Sequence, residues 1–422
     1  MDSIQILKER YLKNIQENPH LYIGIELEFP IVNCLGGATD TEVAKALLKR
    51  LASDYPFEIE RTDREGNPIQ LKSRENEDRL LFELSYNTLE FAFEKADVIQ
   101  EVDERFQQYL ALIQPILQEN HHEIQGEGLH PFWQENDNRP VNYPRYEMLM
   151  QYLALSKQTV AEGLHGYPEY GAFICGSQVQ LDISKSNYLR VINVFNQIEA
   201  AKAYLFANSA FDLWDTKISR DRFWEDSMHG ILRENVGVNP VDFASEKEFF
   251  DYLNRSAIFT AEREGETYYF YPIAAAVYLE QENIKAYDLT GREVILTPSA
   301  ADFSSHRSYQ YQDLTTRGTV EFRSTCTQPL ARTFAPAAFH LGILANLEQA
   351  EIYLQTCSFF KKEGRDYQQL RRRFSGKHLS EEEREQIEKF SDDLVRIAAE
   401  GLQFRKKGEE KYLFCLQNRK SQ

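Results

Sequence analysis

The stretch Gly24-Ile-Glu-Leu-Glu-Phe-Pro30 constrains the fold more than any other part of the chain. Apolar and acidic residues alternate in it. Side chains on a strand alternate faces, so Ile25, Leu27 and Phe29 share one face while Glu26 and Glu28 share the other. The apolar face demands a core. The acidic face sets two carboxylates side by side, where they repel each other and lose hydration. A hard divalent cation with oxygen ligands is the natural group to sit between them. A solvated edge strand with both glutamates in water would show the same alternation. Further acids at Glu83 with Glu90, and at Glu321, weigh toward the cation.

At 422 residues the chain has core enough for one large domain or two ordinary ones. A net charge of -18 argues against a nucleic-acid backbone or an anionic membrane as the main partner, while leaving room for a local basic pocket. The 27 Phe and 23 Tyr suit a folded globular chain. Five widely spaced cysteines without metal-finger spacing read as reduced thiols in a cytosolic protein. Residues 2–17 form a polar amphipathic helix rather than a signal peptide, and no apolar run approaches the ~20 residues of a membrane span. The expectation is a cytoplasmic monomer or homodimer with neither nucleic acid nor membrane as partner.

Along the chain, Asp40 or Thr41 caps a predicted helix bearing Val43, Leu47, Leu48 and Leu51. Residues 57–75 read as a hairpin with a polar turn. Residues 80–93 read as a second acidic strand. Its Glu83 and Glu90 are seven positions apart, an odd offset, so both can serve one site only if Ser85-Tyr-Asn87 breaks or bulges the strand. Helices are predicted over 96–119, from Pro144 onward, and over 186–207. On a strand over 173–183, Gln178, Gln180 and Asp182 alternate with Val179, Leu181 and Ile183. A tyrosine-rich stretch covers 235–300, with residues 268–271 read as a strand packing its rings. Thr319-Val-Glu-Phe-Arg-Ser324 is the last clear strand, with Glu321 and Arg323 on one face. Helices follow around 333–355 and 380–400, the latter opening with Ser380 and Glu383 in capping-box spacing and stopping at Gly401. Residues 361–377 are basic and read as exposed, with Arg371-Arg-Arg373 a solvated run. Runs of alternating strands without βαβ units indicate an α+β fold with an antiparallel sheet, helices around it and a helical C-terminal extension.

Glu26, Glu28, Glu83, Glu90, Gln178, Gln180, Glu321 and Arg323 all lie on strands whose other face is apolar, so one sheet can carry them into one surface. Converging carboxylates would bind two or three Mg²⁺, which partner with phosphates, and an arginine beside a metal-binding glutamate suits phosphoryl transfer.

Gly24-Ile-Glu-Leu-Glu-Phe29, Phe206-Ala-Asn-Ser209 and Val320-Glu-Phe-Arg-Ser324 resemble the glutamate–cysteine ligases, members of the glutamine-synthetase-like carboxylate–amine ligases. The likeness runs in order over roughly residues 20–350. Pro144-Arg-Tyr146, Ser177-Gln-Val-Gln-Leu-Asp182 and His306, fifteen residues before Glu321, are similar to segments of the plant-type branch. The Glu83/Glu90 spacing is similar to the gammaproteobacterial branch, and the plant-type glycine-rich insert between these acids is missing. The resemblance implies a catalytic domain over 1–355 with a concave antiparallel sheet, and an extension over 356–422 packed on it. It implies ATP-dependent ligation of the glutamate γ-carboxylate to cysteine through an acyl phosphate, with another amine as the alternative acceptor. A nucleotide-holding paralogue without turnover is the rival of another class. By motif, Glu26, Glu28, Glu83, Glu90, Glu321 and Gln178 would hold Mg²⁺, or Mn²⁺ in its place, and Arg323 would stabilise the phosphoryl group. Arg220, or its neighbour Arg222, would hold the substrate α-carboxylate, with Arg145 and Tyr146 also contacting substrate. Gln180, His130, His306 and Arg317 would lie near the nucleotide. Nothing beside Cys175 or Cys326 lowers a thiol pKa, so neither is read as a nucleophile.

Overall fold

The computed structural model describes residues 2–159 and 161–417. Its first helix, α1 (Ser3–Leu12), starts where the Asp2 carboxylate accepts from the Ile4 amide. Strand β1 (Ile23–Asn33) follows, and Asp40 caps α2 (Thr41–Asp54) by accepting from the Glu42 amide. The hairpin predicted over 57–75 is β2 (Phe57–Thr62) with β3 (Pro68–Ser73), and the Asp63 carboxylate ties its turn by accepting from the Glu65 and Asn67 amides.

The single acidic strand expected over 80–93 is instead two strands, β4 (Arg79–Phe82) and β5 (Thr88–Ala92), folded against each other. Leu84 turns the chain with a left-handed backbone, φ 60°. Its side chain has room because residue 171 is glycine, where an added Cβ would stand 2.8 Å from Leu84 Cδ2. A turn rather than a bulge thus resolves the odd offset, setting Glu83 at the end of one strand and Glu90 on its neighbour.

Next come α3 (Ile99–Gln118), β6 (His122–Ile124), α4 (Pro144–Ala154) and β7 (Gly176–Asp182). The helix predicted over 186–207 breaks at Ile198 into α5 (Tyr188–Gln197) and α6 (Glu199–Phe206), and α7 (Ser219–Glu225) follows. The tyrosine-rich stretch holds β8 (Val236–Gly237), α8 (Glu246–Leu253), β9 (Ala257–Arg263), β10 (Glu266–Ala274), α9 (Ala275–Tyr278), β11 (Ile284–Tyr287) and β12 (Glu293–Leu296). Three more strands follow among the described residues: β13 (Tyr309–Gln310), β14 (Gln312–Leu314) and β15 (Thr319–Cys326). The chain then turns helical, through α10 (Ala335–Ala345), α11 (Leu347–Thr356), α12 (Ser358–Glu363), α13 (Tyr367–Phe374), α14 (Glu381–Arg405) and α15 (Phe414–Gln417).

The main sheet has nine strands in the order β14-β15-β7-β1-β5-β4-β3-β2, with β6 pairing the end of β1, and every pairing in it is antiparallel. Its apolar face packs on α3, where Phe29 stacks on Phe106 with ring centroids 5.5 Å apart and Phe91 meets the same ring edge-on at 5.2 Å. Each such buried ring contributes roughly 1.5–3 kcal/mol, enough to hold the strand register and with it the direction of every acidic side chain. A second, four-stranded sheet, β12-β11-β10-β9, forms from the tyrosine-rich stretch.

Two expectations for the C-terminal part are corrected. Helix α14 opens with the Ser380–Glu383 capping box but runs through Gly401 to Arg405. Gly401 serves close packing rather than termination, since an added Cβ would lie 2.1 Å from the Gly342 carbonyl oxygen on α10. The basic run is not all solvated: Arg371 is 1% exposed and ion-paired to Glu199 and Asp221. Among the described residues, no helix is long and apolar enough to cross a membrane.

Candidate active site

Directly opposed residues on neighbouring antiparallel strands point to the same face. With β1 between β5 and β7, Glu28 opposes Glu90 and Glu26 opposes Gln178. Farther along the row, Gln180 opposes Glu321, which opposes Asp313 on β14. Glu83 reaches the same place from the β4 turn and meets Glu90 side chain to side chain. Glu26, Glu28, Glu83 and Glu90 line one cleft of about 460 Å³ with Gln178, Arg323, Arg145 and Tyr146. Phe259 and Thr260 of the second sheet also line it. Glu321 borders the cleft through its ion pairs with Arg323 and Arg317.

The acids are held by amides and guanidinium groups. Gly176 N–H donates to Glu28 Oε2 at 2.6 Å and Gln178 Nε2 to Glu28 Oε1 at 3.2 Å. Gln180 Nε2 donates to Glu26 Oε1 at 3.0 Å, while its own Oε1 accepts from Arg317 at 2.8 Å. Arg323 pairs with Glu321 at 2.5 Å and donates to Gln178 Oε1 at 3.0 Å. These contacts do not offset the crowding. Desolvation in the cleft, then the charge of Glu321, pushes Glu26 up to about 7. Burial likewise pushes Glu28 up to about 7 against the pull of Arg220. Glu90 stands well above the ordinary carboxylate range, first from burial and then from Glu83 and Glu26.

A side pocket of about 80 Å³ opens off the cleft and shares Glu28, Glu83, Gln178 and Arg323 with it. Leu84, Leu153 and Ile174 give it apolar walls, and Arg220 supplies a buried charge. The Arg220 guanidinium lies against Gly176, where an added Cβ would come within 2.3 Å of Nη2. A larger residue at the head of β7 would displace the guanidinium from this position. Arg220 Nε and Arg323 Nε are buried donors, and His229 Nε2 a buried ring nitrogen, without a hydrogen-bond partner among the described residues. A guanidinium with a free donor beside apolar walls is what an amino-acid carboxylate needs.

Several predicted residues stand elsewhere. Arg222 is exposed, lies 4.6 Å over the Trp214 ring and pairs with Asp226, so it does not share the pocket with Arg220. His306 is buried with Tyr11 on Nδ1 and Ser256 on Nε2, each at 2.9 Å, and has no nitrogen left for a phosphate. His130 is buried too. Its Nε2 meets Thr39 and the Ile31 carbonyl, and its Nδ1 accepts from the Phe132 amide. Burial pushes His130 down to about 4 and His306 to about 3. Both rings have their nitrogens engaged within the fold. The Tyr146 hydroxyl donates to the Phe82 carbonyl, so it braces the Glu83 turn as well as lining the cleft. Burial pushes the Cys175 thiol up, in keeping with no nucleophilic role.

The sequence reading passed over Arg307, His229, Tyr309 and Asp313. Arg307, His229 and Tyr309 line the cleft, and Asp313 lies 3.8 Å from Arg323 Nε. Arg307 is legible only as the residue beside His306, and the alternation ending at Tyr309 is too short to read.

The fit of a divalent cation rests on donor chemistry. The acids offer carboxylate oxygens alone, and their mutual repulsion is what a hard cation relieves. Among the described residues no three His, Cys, Asp or Glu side chains are grouped to hold a metal ion. The physical reason is visible in the contacts above, since Gln178, Gln180, Gly176, Arg317 and Arg323 occupy the oxygens of Glu26, Glu28 and Glu321.

Residues 22–419 match the profile described as glutamate-cysteine ligase family 2. No curated protein matches the chain. Among solved structures, the 2.0 Å crystal structure of a glutamate–cysteine ligase from Francisella tularensis in complex with AMP aligns with a TM-score of 0.44 and 13% identity. That alignment covers 96% of this chain and 84% of the other.

Proposed function

The chain is an enzyme of glutamate–cysteine ligase family 2, and from that premise we propose that it uses ATP to join the γ-carboxylate of glutamate to the amino group of cysteine. The reaction runs through γ-glutamyl phosphate: the carboxylate oxygen bonds to the ATP γ-phosphorus as ADP leaves, then the amine bonds to the acyl carbon as phosphate leaves. The product begins a glutathione-type thiol. The observation that carries this reading is the single cleft joining Glu26, Glu28, Glu83 and Glu90 to Arg323 at one wall, with Arg220 in the pocket beside it.

Each residue's role follows from its chemistry. Arg220, whose buried Nε has no partner among the described residues, holds the glutamate α-carboxylate. Arg323 takes up charge on the phosphoryl group in transfer. Arg317 and Gln180, bonded to each other, stand on the nucleotide side of Glu321. Arg145 and Tyr146 line the same cleft and contact substrate there. Two or three Mg²⁺, or Mn²⁺ in their place, would neutralise phosphate oxygens when bound to Glu26, Glu28, Glu83, Glu90, Glu321 and Gln178. Such binding requires the glutamine amides and arginines now on those acids to give way. A main sheet concave toward the cleft in the glutamine-synthetase manner, a catalytic domain over 1–355 and a helical extension over 356–422 belong to the same reading. So does a cytoplasmic setting, supported by five free cysteines.

The test is phosphate release from ATP and Mg²⁺ with glutamate, across a panel of amino acids and amines. Release should require glutamate and be fastest with cysteine. A different best amine would replace cysteine and keep the chemistry. Release indifferent to glutamate would overturn the reading.

A further inference from the structure

We propose that Arg371, on α13 outside the cleft, is a positioning residue that aims Arg323 and Arg220; the proposal rests on the ligase reading above. The pairing of β15 with β7 shifts register between Phe322 and Thr325, an irregularity next to the side chain that points Arg323 at the cleft. Register shifts of this kind re-aim side chains and leave backbone groups without ladder partners. Two guanidinium groups take up the carbonyls here. Arg371 Nη2 donates to the Ser324 carbonyl at 2.9 Å. Arg220 Nη1 donates to the Thr325 carbonyl at 2.9 Å and lies 3.5 Å from that of Arg323.

The rest of the Arg371 fork reaches the helix that carries Arg220. Its Nε and Nη2 donate to the two oxygens of Asp221 at 2.7 and 2.9 Å, and its Nη1 donates to Glu199 Oε2 at 2.6 Å. Arg371 also lies 4.7 Å over the ring of Tyr311, which lines the side pocket. One planar group therefore ties the strand of Arg323 to the residue beside Arg220. Lysine, a single point of charge, cannot span these sites at once. Stability alone does not account for the arrangement, because a buried ion-pair network is commonly no more stable than well-packed apolar residues. Geometry is what the network secures.

The test is a cycle of Arg371→Lys and Arg323→Ala in the full chain. Arg371→Lys keeps a charge against Glu199 and Asp221, so kcat should fall about 30-fold with the KM for ATP changed less than about 3-fold. In the Arg323→Ala background the same substitution should cost less than about 3-fold. Equal loss in both backgrounds, or no loss in either, would overturn the proposal. If Arg371→Lys does not fold, Asp221→Asn leaves Glu199 opposite Arg371 and should show a smaller loss with the same dependence on Arg323. Hydrogen exchange separates this idea from the ligase reading. Amides of 322–326 should exchange about 10-fold faster in Arg371→Lys while those of β1 stay unchanged, whether or not the enzyme turns over. Unchanged exchange at 322–326 would overturn the positioning role by itself.

Discussion

Replacing Arg323 by alanine separates binding from chemistry more sharply than any other single change. Its side chain is 12% exposed, paired to Glu321 at 2.5 Å and bonded to Gln178 at 3.0 Å, so its charge sits fixed and largely buried at the cleft. Removing a fixed group that meets charge developing in a transition state costs about 3–4 kcal/mol, or 10²–10³ in kcat. ATP affinity should change by less than about 3-fold, because the ground-state phosphates carry less of that charge. A structural cost competes. Stripping one partner from a buried pair costs about 3–5 kcal/mol, but here Arg317 stays on Glu321 at 3.0 Å and reduces it. Arg323→Lys is the companion variant, keeping charge without the fork, with an expected loss of about 10-fold. Steady-state phosphate release gives kcat, and equilibrium nucleotide titration of the same folded sample gives affinity. Equal losses in kcat and nucleotide affinity would refute the role.

Glu28→Gln removes a charge from the acid row and should raise the Mg²⁺ needed for half-maximal activity by about 10-fold; an unchanged Mg²⁺ dependence counts against Glu28 as a ligand. Glu26 and Glu28 each rise from 4.5 to about 7 on folding. Between those values the folded chain keeps protons that the unfolded chain has released, so metal-free stability should fall as pH rises through the window and level off above it. Urea unfolding at several pH values reads this slope; Glu28→Gln should make it shallower, and a rising slope would contradict the crowding of the acids. Gly401→Ala places a Cβ 2.1 Å from the Gly342 carbonyl oxygen and should lower stability by about 1–3 kcal/mol in the same measurement, whereas an unchanged urea midpoint would mean the helices move apart freely.

What the sequence made legible is what short-range periodicity controls. Alternation at 24–30 and 177–182 places Glu26, Glu28, Gln178 and Gln180 on one face with no knowledge of the strand order, and the register then aligns them. The odd offset of Glu83 and Glu90 showed that the chain had to depart from a straight strand, but not that Leu84 would turn it into a hairpin. Failures came where a side chain's partner is distant in sequence. The ring of His306 is claimed by Tyr11, 295 positions away, and that of His130 by Thr39, 91 positions away. Arg371 read as solvated because its acids, Glu199 and Asp221, lie 172 and 150 positions off. Arg220 and Arg222 differ only in which side of a short helix they occupy, which the local sequence does not reveal.

The most direct test of the central claim follows an oxygen atom. Glutamate labelled with ¹⁸O in its γ-carboxylate, incubated with ATP, Mg²⁺, cysteine and the enzyme, should pass one labelled oxygen to each phosphate released, because the carboxylate is itself phosphorylated before the amine attacks. Phosphate free of label, with γ-glutamyl product still forming, would contradict the account.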